Sequence, residues 1–104
     1  MAWHTPQMFR MTVQDVFMIR NRGVVATGRV ESGTLQVGDT VQIDGTLEAR
    51  VDAIETFRKS IDEATVGDNI GVLFKGLDKG QLDRGSVLTA AGEFPPIEET
   101  GFIV

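Results

Sequence analysis

The chain has 104 residues, no cysteine and a formal net charge of −5. This length is typical of one domain, and the absence of cysteine excludes disulfides, cysteine zinc sites and thiol catalysis. The acidic balance argues against strong sequence-independent binding to nucleic acid, although residues 1–30 hold four arginines and one acidic residue, Asp15. No segment has the pattern of a signal sequence or of a membrane-spanning run, so we expect a cytoplasmic protein without a membrane partner.

Short runs rich in Val, Ile, Thr and Phe alternate with glycine-marked turns, a pattern that predicts an all-β domain. In chain order, we predict strands over residues 8–19, 24–31, 40–43, 47–57, 69–75 and 86–89, with a single helical turn possible within 77–84. Asp44-Gly45 suits the tight turn between the third and fourth strands. The apolar side chains change parity near Ile54, which predicts a bulge or a strand that bends between sheets.

After Ala91-Gly92 the composition changes to a proline pair, an acidic pair and an apolar end. Proline lacks an NH donor and favours extended neighbours, so an irregular tail is predicted. We therefore divide the chain into a β domain, a small sandwich or barrel, over residues 1–92, and a C-terminal tail, residues 93–104. The apolar end of the tail suits either an added edge strand or an oligomer contact.

The residues offer no catalytic constellation. The chain has no Gly-x-x-x-x-Gly-Lys-Ser/Thr loop to hold nucleotide phosphates. Its one histidine, His4, lies near the chain start, where a triad would lack rigid support. The pairs Asp62-Glu63 and Glu98-Glu99 are too sparse for a metal site of the common types. We therefore expect no enzymatic activity, no catalytic residue, no metal and no cofactor.

Four ordered blocks, residues 11–38, 54–64, 66–76 and 82–88, resemble the second domain of elongation factor Tu and related translational GTPases. They include Gln-Asp-Val-Phe at 14–17 and Gly-Asp-Asn-Ile-Gly at 67–71. The resemblance implies a small closed antiparallel β-barrel of the translation-factor type. It also implies a groove that receives the terminal adenosine of tRNA and the amino acid attached to it. The chain departs from the family pattern at Gln14, where an acidic residue is usual, and at Asn21, where glycine is usual.

The residues that match the family's RNA-end and aminoacyl groove are Asp15, Phe17, Ile19, Arg22, Val25, Thr27, Glu55, Asn69 and Leu73. By this resemblance, Ile19, Val25 and Leu73 form apolar walls beside the adenine. Glu55 packs against the adenosine, and Asn69 lies near the aminoacyl group. For most of the set, core packing, a local turn hydrogen bond or simple solvation explains the residue equally well.

The resemblance implies a stand-alone binding module that contacts the aminoacyl or 3′ end of tRNA, or a ribosomal RNA surface, without GTPase activity of its own. A separate GTPase or another protein is then an expected partner. The alternative is a protein-interaction or oligomerisation module that keeps only the barrel scaffold, with homo-oligomer contacts through the tail. A single pocket without partner domains would bind RNA weakly, at roughly −4 to −7 kcal/mol.

Overall fold

The computed structural model describes residues 8–57 and 59–91. Within them the elements are β1 (Arg10–Ile19), β2 (Gly23–Ser32), β3 (Thr34–Gln36), β4 (Thr40–Ile43), β5 (Leu47–Arg50), β6 (Ala53–Thr56), β7 (Lys59–Ile61), β8 (Glu63–Thr65), β9 (Asn69–Phe74), a 3-10 turn (Lys79–Gln81) and β10 (Val87–Ala90). None of the described residues forms a helix long and apolar enough to cross a membrane. The prediction of an all-β domain is confirmed.

Eight strands form one antiparallel sheet in the order β5-β4-β10-β1-β2-β9-β6-β7, and β3 pairs with β8 in a separate ribbon. The large sheet curls into a half-barrel. The closed barrel that the resemblance implies is not found, because no hydrogen-bonded ladder joins the edge strands β5 and β7 within the described residues. The expectation of closure is therefore wrong, while the barrel-like curl is present.

A bend lies between β5 and β6, at residues 51–52. The predicted run 47–57 pairs first with β4 and then with β9, on opposite sides of the sheet. Between them, the backbone NH of Val51 donates to the Asp39 carbonyl and that of Asp52 donates to the Leu73 carbonyl, each at 2.8 Å. The segment between β5 and β6 thus connects the part of the sheet that contains β4 with the part that contains β9. The predicted bend is therefore present, but it joins two strands of the same sheet and not two sheets.

The core lies inside the curl, on one face of alternating strands. On β2, Val24, Ala26 and Val30 point inward, and on β9 the inward residues are Ile70, Val72 and Phe74. This alternation follows from the two-residue repeat of a strand. The other parity of β2 and β9 therefore faces outward, and that outer face carries the candidate site.

Two Val-Gly-Asp turns, at residues 37–39 and 66–68, have the same construction. In each, the aspartate carboxylate accepts a hydrogen bond at 2.9 Å from the backbone NH three residues earlier. Each glycine has a positive φ, near +95° in both turns (+98° and +93°), which suits glycine because it has no Cβ. Each turn also exchanges two backbone hydrogen bonds with a buried valine, Val51 or Val30. The second turn thereby fixes the start of β9 and the position of Asn69.

Candidate nucleic-acid interface

A β-bulge at Gln14 decides which side chains of β1 face outward. The β1–β2 register pairs Val13 with Gly28 and then Asp15 with Thr27, so Gln14 is the extra residue. Val13 is buried in the core, whereas Phe17 is 53% exposed. Simple alternation would place these two residues on one face, and the extra residue reverses that relationship.

Beyond the bulge, the outer face of four strands forms two rows of side chains. In the first row, Phe17 lies opposite Val25, Val25 lies opposite Leu73, and Leu73 lies opposite Ala53. These side chains are apolar, and Leu73 is only 4% exposed although it lies outside the core cluster. Leu73 is therefore an apolar floor on the outside of the sheet.

In the second row, Asp15 lies opposite Thr27, Thr27 lies opposite Gly71, and Gly71 lies opposite Glu55. Residues far apart in the chain thus become neighbours through the ladder. The two rows contain six of the nine predicted groove residues: Asp15, Phe17, Val25, Thr27, Glu55 and Leu73.

A small depression lies where the rows meet, and its lining residues are Ile19, Arg22, Val25, Glu55, Gly71 and Leu73. Its floor is formed in part by Gly71, since a Cβ there would lie 3.2 Å from Val25 Cγ1. The cavity volume is only about 10 Å³, which is about the space needed for one water molecule. A planar base would therefore enter only after the exposed Arg22 and Glu55 side chains turn aside.

An open groove of about 360 Å³ adjoins the depression and shares Val25, Glu55 and Gly71 with it. Thr27 and Asn69 line this groove with polar groups, and the Phe57 ring, 82% exposed, also lines it. Its volume lies within the range of ordinary ligand pockets. Together the depression and the groove offer a small apolar recess beside a larger mixed one.

Asp15 belongs to the second row by register, but its carboxylate is bound elsewhere. Arg84 Nη2 and Nε donate to Asp15 Oδ1 at 3.0 and 3.2 Å. Asp15 and Arg84 line a separate depression with Leu82 and Asp83. The Asp15 carbonyl is 3.5 Å from the Thr27 hydroxyl, which donates to it. The structure thus places the carboxylate beside Arg84 and outside the lining of the groove.

Basic side chains collect at the β1–β2 turn. Arg20, Arg22 and Lys75 line an open depression together with Met18 and Ile19. Asn21 has a φ of +65° in this turn. Asparagine tolerates that conformation better than most residues, which accounts for its presence where the resemblance leads one to expect glycine. The turn therefore presents a local basic patch on an acidic chain.

Arg10, the first of the four arginines in residues 1–30, is engaged away from this patch. Its Nε donates to Glu31 Oε1 at 3.0 Å. The hydrogen bond from Thr12 to Glu31, followed by the Arg10 contact, holds the pKa of the Glu31 carboxyl below its ordinary value. No group of three or more His, Cys, Asp or Glu side chains that suits a metal ion occurs among the residues that the structure describes.

The structure brings most of the predicted residues together. Ile19, Arg22, Val25, Glu55 and Leu73 share the depression, while Thr27 and Asn69 continue it into the open groove. Two predicted residues stand apart: Asp15 turns toward Arg84, and Phe17 is an exposed neighbour of Val25. The division of the chain at residue 92 and the tail itself lie outside the described residues and stay predictions.

Sequence reasoning missed six lining residues of the depression and the groove: Gln14, Gly28, Thr56, Phe57, Ile70 and Gly71. Two of them had a signal in the sequence. Gly71 had a signal, since a glycine inside a strand often marks a place where a ligand or another backbone comes close. Phe57 also had one, because an aromatic residue follows Glu55 by two positions at the end of a predicted strand. Neither signal identifies a groove until the register places these residues beside Thr27 and Asn69.

The curled antiparallel sheet, with an apolar recess and a polar groove on its outer face, defines a β-barrel-type domain. A family model described as Elongation factor Tu domain 2 matches residues 23–89. The chain belongs to this family, and it is therefore a translation-factor β-barrel domain. In elongation factor Tu this domain is a non-catalytic module. The matched segment contains Val25, Thr27, Glu55, Asn69 and Leu73, whereas the other four predicted residues precede it.

Proposed function

We propose that the outer face of this domain binds the 3′ end of an RNA through its terminal adenosine and an attached aminoacyl group, without a chemical step of its own. The observation that carries this proposal is the depression in which three apolar side chains meet Glu55 and Arg22 above Gly71. Single-stranded RNA ends are recognised by contacts with the faces and edges of splayed bases. A recess of this composition suits one base.

The depression offers each part of an adenosine a matching group. Ile19, Val25 and Leu73 supply apolar contact for the base. Glu55 supplies a carboxylate that accepts hydrogen bonds from an amino group or a ribose hydroxyl. Gly71 has no side chain of its own, which leaves room for the base to approach the backbone. Opening the site requires rotation of exposed side chains, with no movement of the ladder.

The open groove beside the depression supports the second part of the proposal. It begins at residues shared with the depression and extends past Thr27 and Asn69 toward Phe57. These residues present a hydroxyl, an amide and an aromatic face within one recess. An aminoacyl group offers both polar atoms and a side chain of variable polarity. The mixed lining therefore suits that group better than it suits a second phosphate.

The basic patch supplies the remaining contact, with the RNA backbone. Arg20, Arg22 and Lys75 lie at the end of the depression closest to the β1–β2 turn. Neutralising phosphates with basic side chains makes RNA binding weaken as salt increases. With few such groups and a net charge of −5, we expect an isolated-domain affinity between millimolar and tens of micromolar, roughly −4 to −7 kcal/mol.

A titration followed by amide chemical shifts tests this function. The probes are a short RNA ending in adenosine and the same RNA ending in cytidine. We expect the adenosine-ended RNA to shift the amides of Glu55, Gly71 and Leu73. Glu55→Ala should weaken that binding about tenfold or more, because it removes a charged hydrogen-bond acceptor.

Glu48→Ala is the matched control, since Glu48 is an exposed glutamate on the edge strand β5. It should bind the adenosine-ended RNA like the unmodified protein. Equal losses from Glu55→Ala and Glu48→Ala would contradict the proposal. Equal shifts by the two RNAs would contradict the assignment of the depression to adenine.

The proposal places the domain in the cytoplasm, beside a GTPase that supplies nucleotide hydrolysis. Two facts support this arrangement: the family is a translation-factor family, and the chain contains no phosphate-binding loop motif. Mixing the protein with a translational GTPase that lacks this domain, and measuring GTP turnover, tests the partnership. Turnover that is unchanged by the protein would count against it.

A second candidate is a protein contact, favoured by the exposed apolar run Phe17-Met18-Ile19. Phe17 and Met18 are 53% and 55% exposed. Replacing both with serine, and measuring molar mass by light scattering, tests self-association through this run. The predicted contact through the tail is tested in the same way by ending the chain at residue 92. A monomer in every case would exclude both forms of self-association.

A further inference from the structure

We infer that Arg84 and Asp15 are positioning residues, which clamp the bulge at Gln14 and so hold Phe17 and Ile19 on the outer face. The clamp is a property of the free protein. Its consequence for RNA binding rests on the proposed function, and the two are tested by separate measurements below.

The clamp consists of one guanidinium that binds two consecutive residues of β1. Arg84 Nε donates to the Gln14 carbonyl at 3.2 Å and to Asp15 Oδ1 at 3.2 Å. Arg84 Nη2 donates to the same Asp15 oxygen at 3.0 Å. The carbonyl of the extra residue and the carboxylate of the next residue are therefore tied to one rigid, planar group.

The backbone of the Arg84 loop is itself fixed to β1. The Gly85 NH donates to the Val13 carbonyl at 2.8 Å, and the Val13 NH donates to the Ser86 carbonyl at 2.8 Å. These two bonds lie immediately before the bulge. The guanidinium thus extends from a loop that is hydrogen-bonded to β1, and it contacts the residues at which the β1–β2 register changes.

The clamp lies where the hydrogen bonding of β1 on one of its two sides ends. On the side of β1 that faces away from β2, β10 pairs with β1 over Arg10–Thr12, and the Arg84 loop continues the pairing at Val13. From Val16 to Ile19, β2 is the one ladder partner of β1 within the described residues. Among the described residues, the Arg84 contacts are therefore the last hydrogen bonds on this side of β1 before the residues that face the groove.

A strand with an extra residue has a competing register, displaced by one position. Such a displacement moves every later side chain to the opposite face. For β1, it would exchange the outward Phe17 and Ile19 for their neighbours. Because the ion pair is largely exposed, with Arg84 76% accessible, it adds little to global stability. The variants of the clamp should therefore fold, and the effect of losing it should be confined to the residues around the bulge.

Amide spectra of the free protein test the clamp directly. Arg84→Ala and Asp15→Ala should shift the same amides, those of residues 14–19 on β1 and 25–28 on β2. The double variant should match Arg84→Ala, since that change alone removes both contacts of the clamp. Arg84→Lys should give intermediate shifts, because an ammonium lacks the planar fork that holds both acceptors.

Arg50→Ala, at an exposed arginine on β5, is the control and should leave these amides unchanged. If Arg84→Ala leaves the amide chemical shifts of residues 16–19 unchanged, the inference of a clamp is overturned. It is equally overturned if the two single variants shift different sets of amides. Neither result requires any ligand, so this measurement stands even if the domain binds no RNA.

The RNA ending in adenosine then tests the consequence for binding. Arg84→Ala and Asp15→Ala should each weaken binding about fivefold, and the double variant should bind no more weakly than Arg84→Ala. A further loss in the double variant would show that Asp15 contacts the RNA itself, and would overturn its positioning role. Failure of the unmodified protein to bind would instead overturn the proposed function alone.

Discussion

Gly71 lies at the centre of the outer face, between Thr27 on one side and Glu55 on the other. A methyl group there would lie 3.2 Å from Val25 Cγ1 and 3.8 Å from Thr27 Cγ2. The first distance is tight and the second is ordinary van der Waals contact. The position therefore accepts a side chain at modest cost to the fold, while the side chain would fill the recess.

Gly71→Ala should consequently separate binding from stability. We expect the free energy of unfolding to change by less than about 1 kcal/mol, while the adenosine-ended RNA binds at least about tenfold more weakly. Urea unfolding and RNA titration measure the two effects. Gly80→Ala is the control, because a Cβ there meets nothing within 4 Å. Undiminished binding by Gly71→Ala would show that the base does not enter the depression.

Residue identities predicted part of this site, and the register supplied the rest. The resemblance selected Val25, Glu55 and Leu73, which the ladder brings together although they come from three different strands. It gave no indication that the Asp15 carboxylate is bound by Arg84, because that contact joins residues 69 positions apart. Contacts of this range depend on the fold and cannot be obtained from local pattern.

At the scale of the element, β1 and β2 cross closely at the bulge because Gly28 has no side chain. A Cβ on Gly28 would lie 2.5 Å from the Thr12 carbonyl oxygen, a backbone atom that has little freedom to move. Gly28 lies opposite Val13, immediately before the extra residue. The bulge therefore has two requirements: close approach at Gly28 and the clamp at Arg84.

Gly28→Ala should destabilise the protein by about 1–3 kcal/mol, the usual cost of overpacking a core position. It should also shift the amides of β1 beyond residue 14, as the clamp variants do. Denaturant unfolding and amide spectra provide the two readouts. Gly76→Ala is a suitable control, since open space surrounds a Cβ at that position. If Gly28→Ala is as stable as this control, the close approach is not a requirement of the fold.

The longer elements were predictable and the shortest ones were not. Long alternating runs identified β1, β2 and β9 within one to two residues at most ends, and the parity change near Ile54 predicted the break between β5 and β6. The three-residue strands β3, β7 and β8 contain too few positions to show a period. Their pairing depends on strands distant in the chain, as when β3 meets β8.

For the whole molecule, the curled sheet separates an apolar interior from an outer face that carries the candidate site. The charge is also distributed unevenly. The β1–β2 turn and Lys75 place basic groups at one end of the depression, whereas the chain as a whole is acidic. This arrangement favours a local contact with one RNA end over general attraction to RNA. Selectivity should therefore depend on the terminal base as well as on salt.

The most direct test is a comparison of dissociation constants for two RNAs that differ only in the terminal base, adenosine or cytidine, at two salt concentrations. We predict that the adenosine-ended RNA binds at least about fivefold more tightly at both concentrations, a difference near 1 kcal/mol. Both affinities should fall as salt rises, because both RNAs share the phosphate contacts. Equal dissociation constants for the two RNAs would contradict recognition of a terminal adenosine by the depression around Gly71.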